Sequence, residues 1–391
     1  MTLPRLPRPQ DLLPGAHPPA PGAAATELVT GRRVLVTGAA GSVGAALVRR
    51  LTALGPRSVH LLDVDEGRLH ALQLELTGHG FTDATPVLLT DVRDARALDA
   101  AFAEARPDVV LHAAALKHVA LLERFPCAGV TTNVWGTENV ARVAARHGVR
   151  RLVNVSTDKA ADPVSVLGAT KRLAEVVVRD AGVPAASVRF GNVLGSRGSF
   201  WDVLVHQLGA GLPVTVTDPD ATRYLMTIDE AAALVVEAAA LAHDGGTYVL
   251  DMGEPVRVLD LVHRFAALAG LPRPEVRVTG LLAGEKQHET LVGAGEHTRP
   301  TDVPRVRLCP PAPRPHRLAS TLGELYAAAD ESDVARVRSL LGHQFAGLRA
   351  AADDRDPRHG PRHDAGCEPS TTGPGAPAGR PALRVLGPVP A

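Results

Sequence analysis

Short apolar segments alternate with helix-forming segments between residues 33 and 190, and this alternation restricts the possible folds more than any other feature. The apolar segments are RVLVT (33–37), VHLLD (59–63), PVLLT (86–90), DVVLH (108–112), RLVNVS (151–156) and ASVRF (186–190). Strands that alternate with helices predict parallel βαβ units. We therefore expect an α/β fold built on a Rossmann-type doubly wound parallel sheet.

A glycine-rich loop, TGAAGSVG, follows the first apolar segment and opens a helix. This context is the one that the dinucleotide-binding fingerprint requires. Gly38 permits the tight turn, Gly41 and Ser42 let backbone N–H groups approach a pyrophosphate, and Gly44 lets the helix lie close to the sheet. Val43 belongs to the same predicted site. An ordinary glycine-rich turn is the alternative interpretation.

Residues at the ends of the next strands complete the predicted cofactor site. Asp63 stands 25 residues after Gly38, where a carboxylate accepts hydrogen bonds from the adenosine ribose and repels a 2′-phosphate. This favours NAD over NADP, although the nearby Arg68 leaves NADP open and a helix N-cap is the alternative role for Asp63. Asp91 and Val92 follow the third strand, where adenine is a plausible ligand and a plain turn is the alternative. After the fourth strand come three small residues that leave room for a flat cofactor or suit simple packing, Ala113, Ala114 and Ala115.

The chain divides into four predicted regions. Its 391 residues, 45% of them apolar, suffice for one large domain or two lobes. We expect a flexible Pro/Ala-rich arm at 1–30, an NAD-binding Rossmann domain at 31–190, a smaller substrate-binding lobe at 191–345 that is interleaved with the main sheet, and a disordered tail at 351–391. In the smaller lobe, 227–242 is predicted to be a helix with a Thr227–Glu230 capping box.

Composition excludes several classes of function. Lys plus Arg and Asp plus Glu both number 42, so nothing in the net charge favours nucleic acid or a membrane surface. The three cysteines lie far apart, form no metal-binding spacing and fit a reducing cytoplasm. No segment approaches the ~20 apolar residues of a membrane span, and the first 30 residues do not resemble a signal peptide. We expect a cytoplasmic protein without metal or membrane insertion.

The segment STDKAADPVSVLGATK (156–171) contains the predicted reacting centre. Ligands of open α/β sheets lie beyond the carboxyl ends of the strands, so Thr157, Asp158 and Lys159 are expected to face the nicotinamide crevice. A surface ion pair is the alternative for Asp158 and Lys159. Lys171 shares a helix face with Leu167 one turn earlier. It is predicted to hold the nicotinamide ribose, and a solvated helix lysine is the alternative.

Eight segments, in order over some 300 residues, resemble the UDP-N-acetylglucosamine 4,6-dehydratases of bacterial polysaccharide biosynthesis, which are extended short-chain dehydrogenases/reductases. The segments are TGAAGSVG, HAAALKHVALLERFP, TNVWGTENV, STDKAADPVSVLGATKRLAE, RFGNVLGSRGS, TDPDATRYLMTIDEA, LDMGEPVRVLDL and GEKQHETL. The resemblance implies that NAD is held tightly, takes a hydride from the sugar C4 and returns it to C6, so that the cofactor is recycled. It assigns the general acid at the C6 hydroxyl and the base at C5 to Asp158 and Lys159.

The resemblance also assigns substrate contacts. Lys117 is expected to approach the sugar or the cofactor, and Asn192 to contact the substrate near the crevice. Thr217 and Arg223 are expected to hold the nucleotide end, where a planar guanidinium suits a diphosphate. A loop or surface role is the alternative for each. For Lys159 to act as a base it must be neutral, and we expect burial and the charge of Lys171 to lower its pKa.

Two residues depart from the family pattern. Leu167 takes the place of the tyrosine of most short-chain dehydrogenases, so the proton of the C4 hydroxyl must leave through Thr157, a water or Lys159. Leu282 stands where the family usually has arginine, which removes one expected phosphate contact. A UDP-sugar 4-epimerase, a 5,6-dehydratase and a non-catalytic nucleotide-binding protein therefore remain alternatives. Related enzymes commonly assemble through helices beside the sheet, so a homo-oligomer is expected.

Overall fold

The computed structural model describes residues 6–13, 15, 17–79, 86–243, 245–311 and 318–348. The tail expected to be disordered, 351–391, lies outside the described residues. The strands are β1 (Arg33–Thr37), β2 (Ser58–Asp63), β3 (Val87–Leu89), β4 (Val109–His112), β5 (Arg151–Val155), β6 (Ala185–Arg189), β7 (Asn192–Leu194), β8 (Val214–Val216), β9 (Thr222–Arg223), β10 (Leu225–Thr227), β11 (Thr247–Leu250), β12 (Val256–Arg257), β13 (Val276–Val278), β14 (Arg299–Pro300) and β15 (Val306–Cys309).

Fourteen α-helices connect and cover these strands within the described part of the chain. They are α1 (Pro9–Leu12), α2 (Ala23–Val29), α3 (Ser42–Thr52), α4 (Glu66–Thr77), α5 (Ala95–Ala105), α6 (Val119–Arg124), α7 (Pro126–Gly129), α8 (Gly136–Arg146), α9 (Val166–Arg179), α10 (Phe200–Gly209), α11 (Ile228–Leu241), α12 (Val258–Leu268), α13 (Leu318–Asp330) and α14 (Val334–Gln344). A π-helical segment, Val130–Trp135, lies between α7 and α8, and a 3₁₀ turn, Asp158–Ala160, follows β5.

The main sheet has the strand order β14-β15-β11-β6-β5-β4-β1-β2-β3. Strands β1 to β6 and β11 pair in parallel, whereas β15 pairs antiparallel with β11 and β14. The order of the strands reverses between β1 and β4, and ligands of doubly wound sheets bind at such a switch point. The predicted α/β Rossmann-type fold is confirmed.

Apolar side chains cover both faces of this sheet, as parallel strands require. In β1, Val34 and Val36 belong to one cluster, which α3 and α11 cover, while Leu35 belongs to the cluster under α5, α8 and α9. Helix α11 begins at the predicted capping box, in which Thr227 and Glu230 bond reciprocally. Nearly every residue of α11 is buried because the helix packs between the sheet, α3 and α2.

A smaller layer of structure stands beside the carboxyl ends of the strands. It contains the pairs β7–β10, β8–β13 and β9–β12, together with α10 and α12. Its own apolar cluster includes Trp201 and Phe265, whose rings meet edge to face at 5.0 Å. The chain then returns to the main sheet as β11, β14 and β15. Residues 191–311 therefore build both the smaller lobe and one edge of the main sheet.

Part of the segment expected to be a flexible arm is helical and packed. Ala25 and Val29 of α2 are fully buried, and the helix lies against α11. The backbone N–H of Gly22 donates to Glu237 Oε1 at 2.8 Å. Small alanine side chains seemed to offer little to bury, but they suit close packing against the alanine-rich α11.

Candidate active site

The glycine-rich loop runs from the end of β1 to the start of α3. Gly38 has a φ of +65°, and a Cβ there would lie 2.5 Å from the backbone nitrogen of Ala114. A Cβ on Gly44 would lie 2.0 Å from the carbonyl oxygen of Gly38. Gly41 is the N-cap of α3, and no described side chain caps this helix end. The first N–H groups of α3, at Ser42 and Val43, are thus available for a pyrophosphate.

Asp63 is joined directly to the glycine-rich loop. Its Oδ2 accepts the N–H of Ala40 at 2.9 Å, and its Oδ1 accepts the N–H groups of Val64 and Asp65. The N-cap of α4 is Asp65, whose side chain also pairs with Arg68 at 3.1 Å. Asp63 therefore does not serve as the N-cap, which was the alternative role for it, and Arg68 is occupied by Asp65.

Asp91 and Val92 lie at the end of β3 but face different surroundings. Arg93 forms several hydrogen bonds with the Asp91 carboxylate, including one from Nε to Oδ2 at 2.8 Å. Burial raises the pKa of Asp91, but the bonds from Arg93 outweigh burial and lower it. Val92 is buried, and a Cβ on Gly136 would lie 2.9 Å from its Cγ2. Contact with adenine stays a prediction for both residues.

The residues Ala113, Ala114 and Ala115 follow β4 beside a buried polar chain. His112 is hydrogen-bonded to Thr37 at 2.7 Å and to Thr137 at 2.9 Å. Burial, together with the charge of Lys171, lowers the pKa of His112 to about 3. A neutral imidazole therefore links the ends of β1 and β4 to α8. Asn133, in the π-helical segment, bonds both backbone groups of Leu116 and fixes the loop that follows the alanines.

Asp158 and Lys159 lie together at the carboxyl end of β5. Thr157 caps the 3₁₀ turn and donates to Asp158 Oδ1 at 2.9 Å. The Nζ of Lys159 donates to Asp158 Oδ1 at 3.1 Å and to Asn192 Oδ1 at 3.2 Å. It also lies 3.4 Å from Oε1 of Glu289. The structure thus brings four groups together that are separated by up to 132 positions in the sequence.

The predicted depression of the Lys159 pKa is wrong. Burial acts to lower this pKa, but the charges of Asp158 and Glu289 outweigh burial, and the pKa of Lys159 is raised. Lys171 does not approach Lys159 as expected, since its Nζ donates to the carbonyl oxygen of Val155 at 2.6 Å. Lys159 is therefore an ammonium in this state of the site.

Lys171 and Leu167 occupy different environments on α9. Lys171 is 4% exposed, and burial lowers its pKa to about 8, with the charge of Glu175 opposing this shift. Leu167 is 5% exposed and belongs to the apolar cluster under α8 and α9. The position that holds tyrosine in most short-chain dehydrogenases is therefore part of the core in this chain.

A buried network of four charges supports the reacting centre from below. Arg189, at the end of β6, is fully buried and pairs with Glu175 at 2.8 Å and with Glu296 at 2.7 Å. Arg172 contacts the same two carboxylates at 2.9 and 2.6 Å. Ser156 donates to Glu175 at 2.6 Å. The network joins β5, β6 and α9 to the loop that contains Glu296.

Thr217 and Arg223, the predicted contacts of the nucleotide end, converge on one carboxylate. Thr217 Oγ1 donates to Glu285 Oε1 at 2.9 Å, and Arg223 donates to the same oxygen at 2.6 Å. The backbone N–H of Leu282 donates to the other oxygen of Glu285, while the Leu282 side chain is 52% exposed. A diphosphate that binds Arg223 must therefore replace or share the bond to Glu285.

Lys117 holds a loop of the smaller lobe against the glycine-rich loop. Its Nζ donates to the carbonyl oxygen of Arg197 at 2.7 Å and to Ser196 at 3.3 Å. The backbone N–H of Arg197 donates to Ser42 Oγ at 3.0 Å, and its guanidinium donates to the carbonyl oxygen of Ala40. Burial lowers the pKa of Lys117. This loop lies directly over the predicted pyrophosphate site.

Sequence reasoning missed four residues of this site. They are Arg197, Glu285, Lys286 and Glu289. The last three stand in the segment GEKQHETL, so a usable signal was present, but their partners lie on distant elements. Lys286 donates to the carbonyl oxygen of Ala161 at 2.7 Å, and burial lowers its pKa.

Fold and site together define an extended short-chain dehydrogenase/reductase, with a glycine-rich loop after β1 and a buried lysine on the helix after β5. Residues 34–310 match the family described as polysaccharide biosynthesis protein. The chain belongs to this family, which confirms the family predicted from the eight sequence segments.

Two relatives support the same assignment. The chain is 41% identical over 287 residues to the probable polysaccharide biosynthesis protein EpsC of Bacillus subtilis, covering 72% of this chain and 48% of EpsC. It is 40% identical over 277 residues to the capsular polysaccharide biosynthesis protein CapD of Staphylococcus aureus, covering 68% of this chain and 46% of CapD. The chain thus spans about half the length of these curated relatives.

Two solved structures are similar to this one. The X-ray structure of Pen from Bacillus thuringiensis has a TM-score of 0.67 and 30% identity, covering 72% of this chain and 90% of Pen. The UDP-glucose 4-epimerase of Thermus thermophilus, solved in complex with NAD, has a TM-score of 0.57 and 25% identity, covering 66% of this chain and 90% of the epimerase. Across the described residues, every helix is too short or too polar to span a membrane.

Proposed function

We propose that this protein is a nucleotide-sugar 4,6-dehydratase that acts on UDP-N-acetylglucosamine or a close relative, with recycled NAD as cofactor. One observation carries the proposal. A carboxylate and an amine that can serve as acid and base, Asp158 and Lys159, are in contact at the carboxyl end of β5, while Leu167 is buried and leaves no base one turn before Lys171.

The residues at the switch point fit a dinucleotide. The uncapped start of α3 suits the pyrophosphate, and the spaces at Gly38 and Gly44 are too small for any side chain. Asp63 suits the adenosine ribose and favours NAD over NADP. Lys171 would hold the nicotinamide ribose. When bound, NAD supplies the hydride acceptor and donor for C4 and C6 of the sugar.

The resting charges of Asp158 and Lys159 can be reconciled with elimination. Transfer of one proton across their 3.1 Å contact converts the ion pair into a carboxylic acid and a neutral amine. Substrate that displaces water favours this neutral pair because desolvation disfavours charge. Lys159 then takes the C5 proton of the 4-keto sugar, and Asp158 gives its proton to the C6 hydroxyl, which leaves as water. Both groups return to their resting charges. Thr157, whose hydroxyl already donates to Asp158, is in place to relay the proton of the C4 hydroxyl.

The substrate would extend from this pair towards the smaller lobe. Asn192 bonds Lys159 and would contact the sugar. Thr217 and Arg223 would hold the diphosphate, with Glu285 as their partner before substrate binds. Lys117 lies beside the loop of Arg197 and would approach the sugar or the cofactor. A homo-oligomer in the cytoplasm remains part of this proposal.

A UDP-sugar 4-epimerase is the second candidate, favoured by the similarity to the Thermus thermophilus enzyme. Epimerisation needs a base at the C4 hydroxyl and returns the hydride to C4, so C5 keeps its proton. The buried Leu167 provides no such base. The two functions therefore differ in whether C5 exchanges with solvent.

The test is to incubate the purified protein with UDP-N-acetylglucosamine in deuterated water and to follow the sugar by NMR and mass spectrometry. We expect a 4-keto-6-deoxy product with deuterium at C5, whose configuration distinguishes inversion from retention. Lys159→Ala should abolish turnover while NAD stays bound. A 4-epimer without deuterium would refute the dehydratase. Unchanged substrate, with a panel of other nucleotide sugars also unchanged, would favour a non-catalytic nucleotide-binding protein.

A further inference from the structure

Glu289 is a buried carboxylate that the proposed chemistry leaves without a role. It is 5% exposed and lies on the segment between β13 and β14. Its Oε1 is 3.4 Å from Lys159 Nζ, and its Oε2 is 3.9 Å from Lys286 Nζ. Oε2 has no hydrogen-bond partner among the described residues. A buried carboxylate oxygen without a donor is costly, so it indicates a site completed by something else.

Asp158 shows the same feature on the other side of Lys159. Its Oδ2 is buried and has no hydrogen-bond partner among the described residues, while its Oδ1 accepts from Thr157 and Lys159. A Cβ on Gly191 would lie 3.0 Å from Oδ2, so only glycine leaves this oxygen room. Two carboxylates, each with one unused oxygen, thus flank a single ammonium group.

The fold fixes Glu289 by contacts on both sides of it in the chain. Before it, the carbonyl oxygen of Gln287 accepts from the backbone of Thr222 and from Arg223. After it, the carbonyl oxygen of Leu291 accepts from the buried Arg189. The Glu289 carboxylate is therefore held next to Lys159 by the backbone and does not depend on a flexible surface loop.

We propose that Glu289 is a positioning residue of the reacting centre, which holds Lys159 Nζ between two carboxylates and keeps its proton on until substrate is bound. The inference rests on the proposed function for its catalytic meaning, but the ion pair itself is independent of any substrate. Glu289 would place the amine at C5 and would prevent Lys159 from becoming neutral in the open site.

The charges around Lys159 set the direction of the expected effect. Those that face it are Asp158, Glu289, Arg223 and Lys286. Replacing Glu289 with glutamine removes one of the two negative charges and retains the two positive neighbours. The pKa of Lys159 must then fall, by about one unit or more for a charge at 3.4 Å.

The experiment is competitive labelling of the lysines with a small amount of acetic anhydride at a series of pH values, followed by mass spectrometry. Cleavage after Arg151 and Arg172 releases residues 152–172, a peptide that contains both Lys159 and Lys171. Lys171 is thus an internal reference on the same peptide. In Glu289→Gln we expect the midpoint of Lys159 labelling to move about one pH unit or more to lower pH, while that of Lys171 stays unchanged.

Two further variants separate charge from folding. Glu289→Asp keeps the charge and should move the Lys159 midpoint less than Glu289→Gln does. Glu254→Gln changes an exposed glutamate and should move neither lysine. An unchanged Lys159 midpoint in Glu289→Gln, or an equal shift of Lys159 and Lys171, would overturn the inference.

Turnover of UDP-N-acetylglucosamine supplies the second readout. In Glu289→Gln the pH limb of kcat/KM that follows Lys159 should move to lower pH, whereas a merely structural role would lower kcat/KM equally at all pH values. Labelling uses no substrate, so its result stands apart from the proposed function. A shifted midpoint without any dehydration refutes the dehydratase alone, and dehydration with an unshifted midpoint refutes the role of Glu289 alone.

Discussion

Substitution of Arg189 with leucine should destabilise the protein more than substitution of any exposed arginine. Arg189 is fully buried and donates to both Glu175 and Glu296. Leucine cannot replace these bonds, and Glu175, which is 4% exposed, would keep only Arg172 and Ser156 as partners. The variant therefore leaves buried negative charge incompletely compensated.

The expected magnitude follows from what remains in the network. Removing one member of a buried ion pair costs about 3–5 kcal/mol, and we expect the lower end, about 3 kcal/mol, because Arg172 still contacts both carboxylates. Arg336→Leu is the matched control. Arg336 and its partner Glu324 are 52% and 54% exposed and 3.9 Å apart, so its loss should cost less than about 0.5 kcal/mol.

The same substitution should change how stability depends on pH. Burial raises the pKa of Glu296, but the bonds and charges of Arg189 and Arg172 outweigh burial and lower it from 4.5 to about 2. Because the folded-state pKa is depressed, the stabilisation is present above about pH 4.5 and is lost as the pH falls towards 2. The shift corresponds to about 3 kcal/mol, which solvent screening of the partly exposed carboxylate reduces to about 1–2 kcal/mol.

Urea unfolding followed by tryptophan fluorescence measures both effects. At pH 7, Arg189→Leu should lower the free energy of unfolding by about 3 kcal/mol relative to the wild type. Between about pH 4.5 and 2, its stability should fall less steeply than that of the wild type. A loss below about 1 kcal/mol at pH 7, or an unchanged acid slope, would refute the role assigned to this network.

Three further predictions concern the site. Gly44→Ala should weaken NAD binding at least about tenfold by fluorescence titration, because its Cβ would meet the carbonyl oxygen of Gly38, whereas Gly323→Ala, with open space around it, should not; equal affinities would contradict the placement of the pyrophosphate. Arg197→Ala should speed dissociation of NAD measured by stopped flow, and an unchanged rate would show that its loop does not cover the cofactor. Asp158→Asn should lower kcat about 10²–10⁴-fold with unchanged binding of UDP by calorimetry, and a kcat near that of the exposed control Asp330→Asn would exclude it as the acid.

Local sequence patterns predicted the framework of this protein but not the charges of its reacting centre. The apolar segments marked β1 to β6, since buried parallel strands need continuous apolar residues, and the glycine spacing marked the start of α3. Lys159 was expected to lose its proton because its carboxylate partner Glu289 lies 130 residues further along the chain. The N-cap role of Asp65 and the pairing of Arg223 with Glu285 depend equally on geometry that periodicity does not describe.

The path of the chain through the main sheet limits how this enzyme can change its substrate. Strand β11 lies beside β6, and β15 closes the same edge after the smaller lobe has been built. Exchanging the whole lobe for that of a relative would remove β11, β14 and β15 and expose the flank of β6. New specificity is therefore expected to arise by replacement of single residues around Arg223 and Glu285, and recombination of intact lobes should yield chains that do not fold.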